Sequence, residues 1–215
     1  MIGAATTYIF AGAAGVALLP LLIAAVSQVA RWSAGVTFLG RISRVIDSLV
    51  RLAGNGVMWL SLSMVLVQVA VVGLRYVFGE GRVYLQESML YMNGILFLAA
   101  AGYTLLQDGH VRVDIFYRGA TPRSKAIIDL VGAYLFLFPV TIVLFAVSLP
   151  YVRQSWLFAE TSRETGGIPF VYGLKAFILV FCLLLFLEGL STTIHNLLRL
   201  VGAEPYSRLE TQPLR

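Results

Sequence analysis

The chain is poor in charge. Only 13% of its 215 residues are Asp, Glu, Lys or Arg, about half the usual share of a soluble domain. A soluble fold of this size has too much surface to leave so little polar cover, so that class is excluded. There is one cysteine, Cys182, which excludes an internal disulfide. Together with two histidines it also excludes a Cys/His zinc cluster, which needs about four ligands. No serine sits in a nucleophile elbow, and HExxH and phosphate-loop patterns are missing, which leaves an enzyme reading little to stand on. No internal repeat and no low-complexity domain is visible.

What is present is apolar. Hydrophobic residues make up 59% of the chain, and the mean hydropathy is +0.84. These values describe an all-α integral membrane protein. Four runs carry no charge: Ile2 to Ala30, Leu52 to Leu74, Ser88 to Gln107 and Leu130 to Val152. Each has about 20 residues or more, enough to cross about 30 Å of hydrocarbon. A fifth, Phe170 to Leu200, spans despite Lys175, Glu188, His195 and Arg199.

The first run has no basic start and is far longer than the apolar core of a signal peptide. Residues 1–35 are therefore read as an extra transmembrane helix. Residues 36–53 differ. Phe38, Leu39, Ile42, Val45, Ile46, Leu49, Val50 and Ala53 recur at helical spacing, while Arg41, Arg44, Asp47, Ser48 and Arg51 fall on the other face. That is an amphipathic helix with a basic side, suited to membrane headgroups or to a partner helix, with lipid the preferred neighbour. Residues 54–202 hold the four remaining spans, and 203–215 form a polar tail with two prolines.

The net charge of +5 bears on topology rather than on nucleic acid, which is not expected as a partner. With residues 31–51 inside the cell, 11 Lys and Arg lie on that side and 5 on the other, as the positive-inside rule requires. The amino terminus is then outside and the carboxyl terminus inside. DGHVRVDIFYR, residues 108–118, becomes an inner turn whose charge stays in water or at headgroups.

Few residues are candidates for chemistry. Arg75 and Glu87 flank the Gly79-Glu80-Gly81 turn at similar depth, which suggests an ion pair near the outer face. Glu188 lies inside the last span and shares a helix face with Thr192 and His195. It could bind a coupling ion or proton, pair with a partner subunit, or sit neutral and hydrogen-bonded between helices. His110 and His195 offer an axial pair for haem b.

Residues 75–118, RYVFGEGRVYLQESMLYMNGILFLAAAGYTLLQDGHVRVDIFYR, resemble the small membrane subunit (DctQ-type) of tripartite ATP-independent periplasmic (TRAP) transporters. The matching pieces are Arg75 to Gly79, Glu87, Gly102 and Gly109 to Asp114, and the resemblance covers roughly residues 45 to 200. It implies a non-enzymatic four-helix subunit of the bacterial inner membrane, with no cofactor. It also implies two protein partners: a large permease subunit, and a periplasmic solute-binding protein that delivers a small organic acid for ion-gradient-driven uptake. Under it, Arg75 and Glu87 secure the outer hairpin, Gly102 permits close helix packing, and His110 and Asp114 order or dock the inner turn. The extra first helix departs from the family's usual pattern. A membrane redox subunit carrying haem b and a self-contained small transporter remain the alternatives.

Overall fold

The computed structural model describes residues 11–21, 25, 33–110, 117 and 119–203. Every regular element among them is helical. Four helices are long and apolar enough to cross a membrane, and a shorter apolar helix, α1 (Ala11–Leu21), precedes them. We label the four α2 (Ser33–Val77), α3 (Val83–Leu106), α4 (Pro122–Leu157) and α5 (Val171–Leu200). The rest of the expected first span, Asp114 and the tail after residue 203 lie outside the described residues.

The helices begin and end where local chemistry demands. α2 stops before a turn in which Gly79 takes a positive φ of 69°, a conformation open to glycine. α4 starts at Pro122, where a missing N–H costs nothing, and the Thr121 hydroxyl caps it by accepting from the Ser124 amide at 3.2 Å. Within α4 the turn Ala133–Leu137 is a π-helix. Pro139 explains it: the ring has no N–H for the Leu135 carbonyl and would collide with it, so the chain widens one turn. Thr141 Oγ1 donates across the break to the carbonyls of Leu137 and Phe138, at 2.8 and 3.0 Å.

One expectation changes here. Residues 36–53 do not form a separate interfacial helix, because α2 runs unbroken from Ser33 to Val77. Leu39, Ile46 and Val50 on this segment pack with Leu106 of α3 and with Leu190, Ile194 and Leu198 of α5. The Leu39, Ile46 and Val50 side of the periodic apolar face therefore has helices of the same chain as its neighbours, while Phe38, Val45 and Leu49 are exposed. Sequence alone could not separate that reading from a headgroup site, because both need the same stripe.

α5 is the hub. It packs on α2, α3 and α4, and α2 also packs on α3. Ten of the eleven buried residues of α5 fall in its second half, from Glu188 on, or at Cys182 just before it, which is where its three neighbours surround it. α1 joins from the far side: Ala17 packs with Ala133, Phe138 and Ile142 of α4, and the Tyr134 hydroxyl donates to the Ala17 carbonyl at 2.7 Å.

Candidate functional site

The ionisable side chains of the bundle gather at its two ends. At the end that holds the α2–α3 turn, the centre is Glu87, in the second turn of α3. Its carboxylate accepts from Ser162 Oγ and, at 2.6 Å, from the Ile168 amide. Tyr91, one turn on, donates to the Ile168 carbonyl at 3.3 Å. The loop between α4 and α5 is thereby tied to α3. Gly167 makes the approach feasible, since a Cβ there would lie 2.4 Å from Ser162 Oγ and 2.7 Å from Glu87 Oε2.

The expected Arg75–Glu87 pair is not formed. Glu87 turns toward the loop, where a backbone N–H and a hydroxyl satisfy it, and Arg75 is exposed on α2. The ion pair of this turn is Arg82 with Glu80, at 2.6 Å, and it is half-exposed, so it adds little stability. Sequence spacing located the hairpin but gave no view of the loop 75 residues away. Glu87→Ala should therefore loosen residues 160–168, read as faster proteolysis of that loop, whereas Arg75→Ala should leave the rate unchanged. Equal effects would restore the ion pair.

A second tie lies beside the first. Glu160 accepts from Ser155 Oγ at 2.6 Å and from Lys175 Nζ, and the Lys175 ammonium sits 4.2 Å from the centre of the Tyr151 ring, a cation–π contact. The hydrogen bond from Lys175, then that from Ser155, holds the Glu160 carboxyl below its ordinary range. A depressed folded-state value stabilises the native state above the unfolded pKa, ~4.3, and that support is lost as pH falls through the folded value. The indole of Trp156 stacks edge-on against Tyr172, 4.9 Å between centroids, and reports on this corner. Acidification below about pH 4 should change Trp156 fluorescence in the native chain. Glu160→Gln should remove that step; a step of unchanged size would sink the assignment.

At the opposite end, α2 and α5 are joined through Asp47. Its carboxylate accepts from Ser191 Oγ and lies 3.2 Å from His195 Nε2. Ser191 also approaches the Ser43 carbonyl at 3.3 Å. Glu188, one turn earlier on α5, has no exposed surface and accepts from Thr192 Oγ1 at 3.2 Å. It is enclosed by its own chain, and its bond to Thr192 lies within α5. His195 shares its helix face, but its ring reaches Asp47 on α2.

His110 follows α3 and is exposed. It stands at the rim of a groove of about 690 Å³ lined by Asn93, Thr104, Leu137 and Phe181, among others. The two histidines thus face different neighbours, and the structure does not assemble them into an axial pair for haem. Arg41 and Arg44 are exposed on α2 and Arg51 is half-buried.

Small residues set how closely the helices approach. At Gly102 a Cβ would stand 3.0 Å from Leu184 Cβ and 3.1 Å from its carbonyl oxygen, so α3 and α5 meet backbone to backbone there. Gly54 is tighter against Tyr103, and Gly189 against Leu137. Sequence reasoning singled out Gly102 but missed Gly54, Asp47, Ser162, Glu160 and Lys175. Only Asp47 carried a signal, as the lone acid on a basic helix face.

A family model described as "Tripartite ATP-independent periplasmic transporters, DctQ component" matches residues 64–200, well over half of the chain. No curated protein and no solved structure gives a match.

Proposed function

The chain belongs to the DctQ component family of the tripartite ATP-independent periplasmic transporters, and on that premise we propose that it is the scaffold half of a two-part permease. In this reading it binds the large permease subunit, which carries the substrate and the coupling ions. A periplasmic solute-binding protein delivers a small organic acid to that pair, and an ion gradient drives uptake. The small subunit takes no part in substrate chemistry.

One observation carries the scaffold role. The acids at the ends of the membrane-spanning bundle close joints between helices: Glu87 and Glu160 hold the α4–α5 loop, and Asp47 holds α2 on α5. Charged groups at membrane depth are costly unless paired, and here their partners are structural. A rigid frame results, which is what a moving transport domain needs to work against. We place the end with Arg41, Arg44 and Arg51 in the cytoplasm, by the positive-inside rule, and the Glu87 end in the periplasm.

Tagged chain, expressed with its neighbouring genes, should bring a stoichiometric large polytopic partner through detergent. A lone, monodisperse chain that passes solute across liposomes unaided would refute the scaffold role.

A further inference from the structure

α4 and α5 leave a cavity of about 360 Å³ where the loop between them begins, a size that suits a small ligand group. Tyr151, Gln154 and Ser155 line it from α4 and Phe158 from just past its end, with Glu160 on the loop and Lys175 on α5. It holds one cation and one anion side by side.

The bond between Glu160 and Lys175 exhausts neither group. Glu160 takes both Ser155 Oγ and Lys175 Nζ on Oε2, and among the described residues its Oε1 has no hydrogen-bond partner. Lys175 has three N–H donors, of which Glu160 and Tyr151 engage two at most. Gln154 is exposed, and among the described residues its side-chain amide bonds to nothing. An acceptor on Glu160 and donors on Lys175 and Gln154 thus border one space.

That space lies at headgroup depth. α5 has 30 residues, about 45 Å at ~1.5 Å per residue. This matches the hydrocarbon core plus both headgroup layers, ~40–45 Å. Lys175, in the second turn of α5, therefore stands in a headgroup layer. Trp156, Leu157 and Phe158 beside it are exposed and form the aromatic and apolar belt of that depth. Lipid tails then lie next to the cavity wall.

Charge selects the headgroup. A zwitterion satisfies Lys175 and Glu160 together, whereas a purely anionic group meets Glu160 as a like charge. Arg163 also stands near Glu160, but it is exposed and screened by salt. The spare oxygen of Glu160 accepts an N–H, which a primary ammonium carries and a trimethylammonium lacks. We propose that this cavity binds the headgroup of a phosphoethanolamine lipid, with its phosphate on Lys175 and Gln154 and its ammonium on Glu160 Oε1. Such a lipid braces the corner where the loop leaves α4. The site needs neither the large subunit nor a solute-binding protein, so the lone chain tests it.

Trp32→Phe with Trp59→Phe leaves Trp156 as the one tryptophan. This chain is placed in phosphatidylcholine vesicles that carry a minor share of one lipid brominated near the headgroup end of its tails. Quenching of Trp156 should show phosphatidylethanolamine enriched about fivefold over phosphatidylglycerol or phosphatidylcholine. Glu160→Gln, which removes the charge and keeps the shape, should bring phosphatidylglycerol up to the phosphatidylethanolamine level. Gln154→Leu, at a side chain that bonds to nothing in the fold, should lower the phosphatidylethanolamine enrichment. Equal quenching by the three lipids means ordinary bilayer contact and overturns the site. A wild-type preference for phosphatidylglycerol overturns the zwitterion, and a preference that survives both substitutions overturns these residues. Free glycerophosphoethanolamine that displaces the brominated lipid would make the occupant a soluble zwitterion and overturn the lipid.

Discussion

Gly54→Ala is expected to lower the unfolding free energy by about 2 kcal/mol, while Gly56→Ala, two residues on, raises it by about 0.5–1 kcal/mol. The same substitution on the same helix should thus act with opposite signs. At Gly54 a Cβ would come within 2.3 Å of Tyr103 Cγ and 2.5 Å of its Cβ, inside any real contact. Rotating the ring cannot relieve a clash with the Cβ that carries it, so α2 and α3 must part. At Gly56 nothing lies within 4 Å, and alanine only restricts the unfolded chain and favours the helix. Thermal melts of the lone chain in one detergent would measure both. Tyr103→Ala supplies the control: in that background the Gly54→Ala penalty should largely vanish. A penalty that persists would mean the damage is not steric. Gly102→Ala should fall between the two, because its closest contacts are 3.0–3.2 Å, and two of them are backbone atoms of Leu184 that yield little.

These glycines show where sequence is informative and where it is not. The helices were legible because a span is a one-dimensional signal: length and hydropathy place it, and the long helices fall where the uncharged runs are. The boundaries were less so. α2 starts about twenty residues before the uncharged run Leu52 to Leu74, and α4 eight before Leu130, because charged ends of a helix need not leave the helix. Gly102 was singled out through the family pattern. Gly54 has the same chemistry but its importance lies in Tyr103, and nothing local to residue 54 announces that neighbour. Glu87 is similar. Its depth pointed to a nearby cation, yet a backbone amide on a loop 81 residues away satisfies it. A carboxylate is indifferent to whether its donor is an arginine or an N–H, provided the geometry is good, and that choice belongs to the fold. Glu188 was flagged as unusual because acids in spans are rare. What the fold adds is its burial: it lies wholly inside the bundle, bonded to Thr192 one turn on.

The joint at Asp47 leads to the second large effect. Asp47→Ala should cost about 3 kcal/mol and release the first half of α2 from α5, leaving its second half in place. The carboxylate serves Ser191 and His195 together, and the Asp47 and His195 side chains are only 16% and 12% exposed. Removing it leaves Ser191 with the longer contact to the Ser43 carbonyl and takes the carboxylate from the His195 ring, in a region where water cannot fully replace it. Val50 and Gly54 below the joint remain packed, so the opening should be local rather than global. Hydrogen exchange would show this as loss of protection over residues 36–50 with 59–72 unchanged. Loss across the whole helix would mean that Asp47 supports the entire bundle. Asp47→Asn keeps an acceptor for Ser191 and should cost less. His195→Ala on top of Asp47→Ala should add little, since both remove one contact; additive losses would show that the two side chains act independently.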